Sequence, residues 1–173
     1  MQHLAHAVLH QMARNLAQVD RWIDKTEAAA AARKYDPNHL LQVRLAPDMF
    51  PLVRQLGSAC DTAKLCTARL TGRTPKSHAD NETTWAEVRA RVADVVAFVS
   101  EVTPESLADL ESRTVRFPWA PGVSLSGGDY FLRHAVPNFY FHLSMSYAIL
   151  RNNGVDLGKG DYLGDLPWHR DEA

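Results

Sequence analysis

Apolar residues recur at every third or fourth position along most of this chain. Val8, Met12, Leu16, Val19 and Ile23 keep that spacing and predict a first helix over residues 2 to about 33, extended by the strong helix formers of residues 27–32. Asp36-Pro37-Asn38 breaks it, and Leu40, Leu41, Val43 and Leu45 fall in a loop. Leu52, Leu56, Ala59, Ala63, Cys66 and Leu70 are the stripe of a second helix, expected to start near Asp48. Pro51 is tolerated in its first turn, where N–H groups have no intrahelical partner. Thr71-Gly72-Arg73-Thr74-Pro75 stops it. A third helix, capped by Asp80 or Asn81, carries Trp85, Val88, Val92, Val95 or Val96, and Val99, and ends before Pro104. A short helix over 103 to about 110 and two strand signals, 114–117 and 123–125, come next. An isolated hairpin is marginal, so this one is expected to lie against the helices.

Residues 137–151 are apolar nearly all the way round, through Phe139, Tyr140, Phe141, Leu143, Met145, Tyr147, Ile149 and Leu150, which predicts a helix buried among others. Gly127-Gly128 lead into this segment, and Pro137 should kink or restart it just before Asn138. Asn152-Asn153-Gly154 closes it, and residues 154–168 read as an ordered extension rather than a helix. Asn138 and His142, four apart, share one face and must find partners there. The expected fold is all-α: a four-helix bundle forming one domain over residues 1–173, with a short hairpin before the last helix and an ordered C-terminal tail.

Composition narrows the function by exclusion. The net charge is −1 and no basic run tracks a phosphate backbone, so nucleic acid is not an expected partner. No apolar run reaches the roughly 18 residues of a transmembrane helix. The N-terminus lacks a basic region followed by an apolar one, so the expected location is cytoplasmic. Cys60 and Cys66, on different faces of one helix, cannot pair and read as buried free thiols of a reducing compartment. His3, His6 and His10 lie on one face without a neighbouring acid or cysteine, which favours a solvated or half-buried face over a metal site.

Three segments carry a resemblance: Arg44-Leu45-Ala46-Pro47-Asp48-Met49-Phe50-Pro51, Ala135-Val136-Pro137-Asn138-Phe139-Tyr140-Phe141-His142, and Gly154-Val155-Asp156-Leu157-Gly158-Lys159-Gly160-Asp161-Tyr162-Leu163-Gly164. In this order, over nearly the whole chain, they resemble a family of bacterial proteins of unknown function grouped with the DinB/YfiT-like four-helix bundles, often called metalloenzymes. The resemblance implies zinc or nickel held by three histidines, one on the second helix and two, four apart, on the last. Counting back from Leu150-Arg151, His142 takes the place of the second of that pair and Asn138 that of the first. On the second helix the comparable position is near Gln55, to within a turn. Three histidines have become something like Gln-Asn-His. Imidazole suits zinc or nickel, whereas neutral amides are weak ligands. Asp48, seven residues before Gln55, would share its face and add a carboxylate; its other reading is a helix N-cap.

Two functions are carried forward. In the first, the former ligands form a closed hydrogen-bond network, and the protein is a small-molecule-binding or structural module. In the second, the resemblance implies a divalent metal that lowers the pKa of a thiol or water, in a thiol-dependent transferase or isomerase. A homodimer is likewise implied by resemblance. Converging donors at about 2.0–2.2 Å would mark the metal site, and mutual bonds of about 2.7–3.2 Å the network. Ser144 and Ser146 follow closely after His142, Ser146 on its helical face, but no acid is placed to complete a hydrolytic triad. Tyr140 and Tyr147 read as buried tyrosines bonded to backbone. Gly158 and Gly160, beside Lys159, Asp161 and Tyr162, suit a fixed turn better than a phosphate loop, because no strand precedes them.

Overall fold

The structure is a computed structural model and describes residues 1–169. Helix α1 spans Gln2–Arg33, α2 Leu52–Thr71 and α3 Trp85–Ser100. The fourth long segment opens with one α turn at Gly127–Asp129, widens to a π-helix over Tyr130–Ala135 and continues as α4, Val136–Asn152. It restarts at Val136-Pro137, as a proline in mid-helix requires. α1 packs chiefly on α3, and α2 chiefly on α4, with α2 also against α3. Their stripes meet in one core that includes Leu9, Trp22, Leu56, Ala63, Val92, Phe139 and Leu143. The expected all-α bundle is what forms.

Strands β1 (Thr114–Phe117) and β2 (Ala120–Ser126) pair antiparallel, with Thr114 opposite Ser126 and a register shift between Arg116 and Phe117. Val115 and Phe117 are buried while Thr114 and Arg116 face solvent, so the hairpin docks by one face. Gly127, immediately after it, has no alternative residue. A Cβ there would overlap the carbonyl oxygen of Leu110, and its own N–H donates to Arg113 O at 2.8 Å.

Several boundaries differ from those read in the sequence, each for a local reason. α2 begins at Leu52 rather than near Asp48, because the residue before a proline is driven out of the helical region; Pro51 itself is extended (φ −66°, ψ 161°) and occupies the N-cap. The cap of α3 is Thr84 rather than Asp80 or Asn81. Glu87 accepts from the Thr84 N–H at 2.9 Å while the Glu87 N–H donates to the Thr84 hydroxyl at 3.3 Å, a reciprocal capping box. Residues 37–42 form a 3-10 helix, and only Glu105–Leu107 is helical in the 103–110 stretch. Helix α4 is not buried all round, since Phe141 is 51% exposed.

The tail also contains a short helix, α5 (Lys159–Leu163), where an extension without helix was expected. Asp161 accounts for it by accepting from the Gly158 N–H at 2.7 Å. The same aspartate pairs with Lys25 at 2.7 Å, its carbonyl accepts from the Trp22 indole at 2.9 Å, and the Tyr147 hydroxyl donates to Leu157 O at 3.2 Å. These contacts dock the tail across α1 and α4.

Candidate functional site

Helices α2 and α4 face each other across a cavity of about 220 Å³, and three of the four expected site residues lie at that interface. Gln55 is buried on α2, and its Oε1 lies 2.7 Å from Nδ1 of His142 on α4. One turn earlier on α4, Asn138 donates from Nδ2 to the Thr62 hydroxyl at 2.7 Å. Asp48 is not with them. It is exposed in the turn closed by the Met49 N–H to Ala46 O bond, and since residues 48–51 are not helical, counting seven residues to Gln55 does not place it on that face.

The polarity of every group in this network follows from its partners. The Phe50 carbonyl, 3.4 Å from Gln55 Nε2, can only accept, so the amide N–H of Gln55 points there and Oε1 points at His142. His142 therefore carries its proton on Nδ1, and Nε2 keeps a lone pair with no partner among the described residues. The Thr62 hydroxyl spends its proton on Ser58 O at 2.7 Å and can only accept from Asn138. This fixes the Asn138 amide and leaves its Oδ1 as a second open acceptor. Burial holds the His142 pKa below the ordinary value, which keeps the ring neutral. The Phe50 ring stacks on the imidazole at 6.4 Å between centroids.

The other end of the cavity is aromatic and basic. Arg69 donates to the Tyr130 hydroxyl at 3.1 Å and lies over the rings of Phe117 and Tyr130, 5.1 and 5.2 Å from their centres. His134 stacks against Tyr130 at 5.5 Å, and its buried Nδ1 has no partner among the described residues. Its pKa is lowered by burial and then by the Arg69 charge, so it too is neutral. Asp61, the one carboxylate at the cavity wall among the described residues, is held by Lys64 and by Arg91, each at 2.8 Å. Trp119, at the hairpin turn, also lines the cavity.

Thr62, Arg69, Tyr130 and His134 were not among the residues singled out in the sequence. A signal for two of them existed, because Tyr130, His134, Asn138 and His142 follow one another at intervals of four. An α-helix overshoots by roughly 40° at each such step. The wider π turn takes up the overshoot over the first of them, and all four side chains reach the cavity.

The arrangement suits hydrogen bonding better than metal binding. A tetrahedral zinc site takes three or four strong protein donors. Here Gln55 Oε1 is engaged by the imidazole N–H, which leaves one ring nitrogen and one amide oxygen, and this donor set does not fit zinc or nickel. No group of three His, Cys, Asp or Glu is placed to hold a metal among the described residues. The His6 and His10 rings instead lie 4.3 Å apart, tilted by 46°, and Val102 O lies 3.0 Å from His10 Nε2. Nor does the chain supply a thiolate: burial pushes both Cys60 and Cys66 up to about 12. The Ser146 hydroxyl donates to His142 O on its own helix at 2.9 Å and is buried, so it does not face the cavity as a nucleophile.

No helix among the described residues is long and apolar enough to cross a membrane. Among curated proteins, none matches this chain. It is similar in structure to a DinB family member protein from Shewanella denitrificans, with 40% identity and a TM-score of 0.93 over 98% of this chain and 97% of the other. Residues 4–163 match the model of a domain of unknown function, DUF1993. The overall fold is thus shared with a DinB family member, and the chain belongs to the DUF1993 family.

Proposed function

We propose that the cavity between α2 and α4 is a small-molecule binding site, and that His142, Asn138 and Thr62, with Gln55 buried behind His142, are its hydrogen-bonding wall rather than the ligands of a metal. The observation that carries this reading is the 2.7 Å contact between Gln55 and His142, which engages the one oxygen Gln55 could offer a metal and leaves the other ring nitrogen of this cavity-lining histidine without a partner among the described residues. A pre-set wall of this kind favours ligand affinity, because its side chains need not be ordered on binding. The buried, protonated thiols are in keeping with a cytoplasmic protein.

The test is elemental analysis of the untagged protein purified without chelator and after zinc or nickel re-addition, alongside native mass spectrometry for retained small molecules. The expected result is no stoichiometric metal and the same background in His142→Ala. About one metal per chain, lost in His142→Ala, would overturn the reading and restore metal-dependent thiol transfer as the working function.

A further inference from the structure

The two ends of the cavity differ in what they lack, and the difference defines a ligand. At one end His142 Nε2 and Asn138 Oδ1 are open acceptors whose orientations are fixed from behind. At the other, Arg69 has no carboxylate within ion-pairing distance among the described residues, and only its bond to the Tyr130 hydroxyl is spoken for. Asp61 does not neutralise it, being already engaged by two cations at 2.8 Å. A half-buried guanidinium lying over two aromatic rings keeps its charge and its planar fork, the geometry that recognises carboxylates.

Resting on the binding-site reading above, we propose that the cavity takes a small organic acid, its carboxylate held by Arg69 and a hydrogen-bond-donating group at its far end held by His142 and Asn138. Seven residues of α2 separate Thr62, level with Asn138, from Arg69, a rise of about 10 Å. Once the arginine side chain reaches inward, the remaining gap suits a spacer of about one aromatic ring, which Phe117 and Trp119 would flank. Among the described residues Arg69 is the one guanidinium lining the cavity and no lysine lines it, which suits a monoanion. A phosphate dianion would leave acceptors without donors.

The probes are 4-aminobenzoate, whose amino group carries an N–H for each of the two acceptors, and its neutral counterpart 4-aminobenzamide, titrated into labelled protein while the side-chain resonances of His142 and Arg69 are followed. The acid is expected to shift both ends and to bind more tightly than the amide. Arg69→Gln should weaken the acid by about tenfold or more, the loss of a charged hydrogen bond, and leave the amide unchanged. Arg69→Lys should restore part of the loss, with unchanged melting temperatures showing that both variants fold. Equal affinity for acid and amide, or an acid indifferent to Arg69→Gln, would overturn the proposal while leaving a binding site in place. If neither probe moves a cavity resonance, the organic-acid proposal falls. The binding-site reading falls with it only if a chemically diverse fragment set also leaves those resonances unmoved.

Discussion

Gln55 on α2 and His142 on α4 are joined by a 2.7 Å hydrogen bond that spans the contact between these two helices. Both partners are at least half-buried, so removing one strands the other's polar atom away from water. Gln55→Leu is therefore expected to cost about 1–3 kcal/mol in denaturant unfolding. In a double-mutant cycle with His142→Phe the coupling should reach about 0.5–3 kcal/mol. Additive losses would mean that the two side chains do not act on each other in solution.

Acidification should destabilise the fold through histidines before it does so through carboxylates. His78, His134 and His142 are all held below the ordinary value of 6.5, with burial the largest cause at each. As pH falls through that value the unfolded chain takes up protons that the folded chain refuses, so stability rises with pH in this window and is lost on acidification. The contribution is complete above about pH 6.5 and declines below it. Asp80, Asp94 and Asp161 are also held low, but as carboxylates they act in a separate, more acidic window. Melting temperature should be level between about pH 7 and 8 and fall from about 6.5 to 5. His142→Gln should reduce that slope. An imidazole titration placing His142 at or above the ordinary value would contradict this.

Arg91 holds the 72–84 connection onto the bundle. Only 5% exposed, it bonds Asp80 at 2.7 Å and Glu82 at 2.8 Å through Nη1, and Asp61 at 2.8 Å and the Gly57 carbonyl at 3.3 Å through Nη2. Removing a buried cation leaves its acids uncompensated, so Arg91→Met should cost about 3 kcal/mol. The exposed Arg133–Asp129 pair on the π segment is the control, because Arg133→Met should change stability by less than about 0.5 kcal/mol. Equal effects of the two variants in chemical denaturation would show the Arg91 cluster to be solvated.

The fold was legible because each long helix carries a stripe that only a bundle can bury, as Leu52, Leu56, Ala59, Ala63, Cys66 and Leu70 do on α2. Helix starts were less legible. The prolines at 47 and 51 outweigh the capping tendency of Asp48, and the Thr84–Glu87 pair outcompetes Asp80, whose carboxylate goes to Arg91. In the site, Asn138 and His142 stand out by their spacing on one helix face and Gln55 only through the family resemblance, and the hydrogen bonds they make are what the distances add. Arg69 was passed over because a lone arginine near a helix end reads as a solvated charge. Only the hairpin, arriving from distant sequence with Phe117 and Trp119, makes its position a cavity wall.

The same geometry states what a metal site here would need. Gln55 faces His142 across 2.7 Å, and Asn138 precedes His142 by one turn on the same helix. Replacing both amides by imidazoles places three nitrogen ligands around the end of the cavity where now there is one. It also removes the carbonyl that holds the His142 proton on Nδ1. The double variant Gln55→His with Asn138→His is therefore expected to take up about one zinc or nickel per chain, and to be stabilised by that metal through preferential binding to the folded state. Each single variant should bind far more weakly, since two imidazoles fall short of a three-ligand site. The check is metal content after dialysis together with the metal-dependent shift in melting temperature. His142→Ala added to the pair should abolish both. A double variant that retains no metal would mean that the three positions do not converge, and that α2 and α4 meet in a different register from the one described.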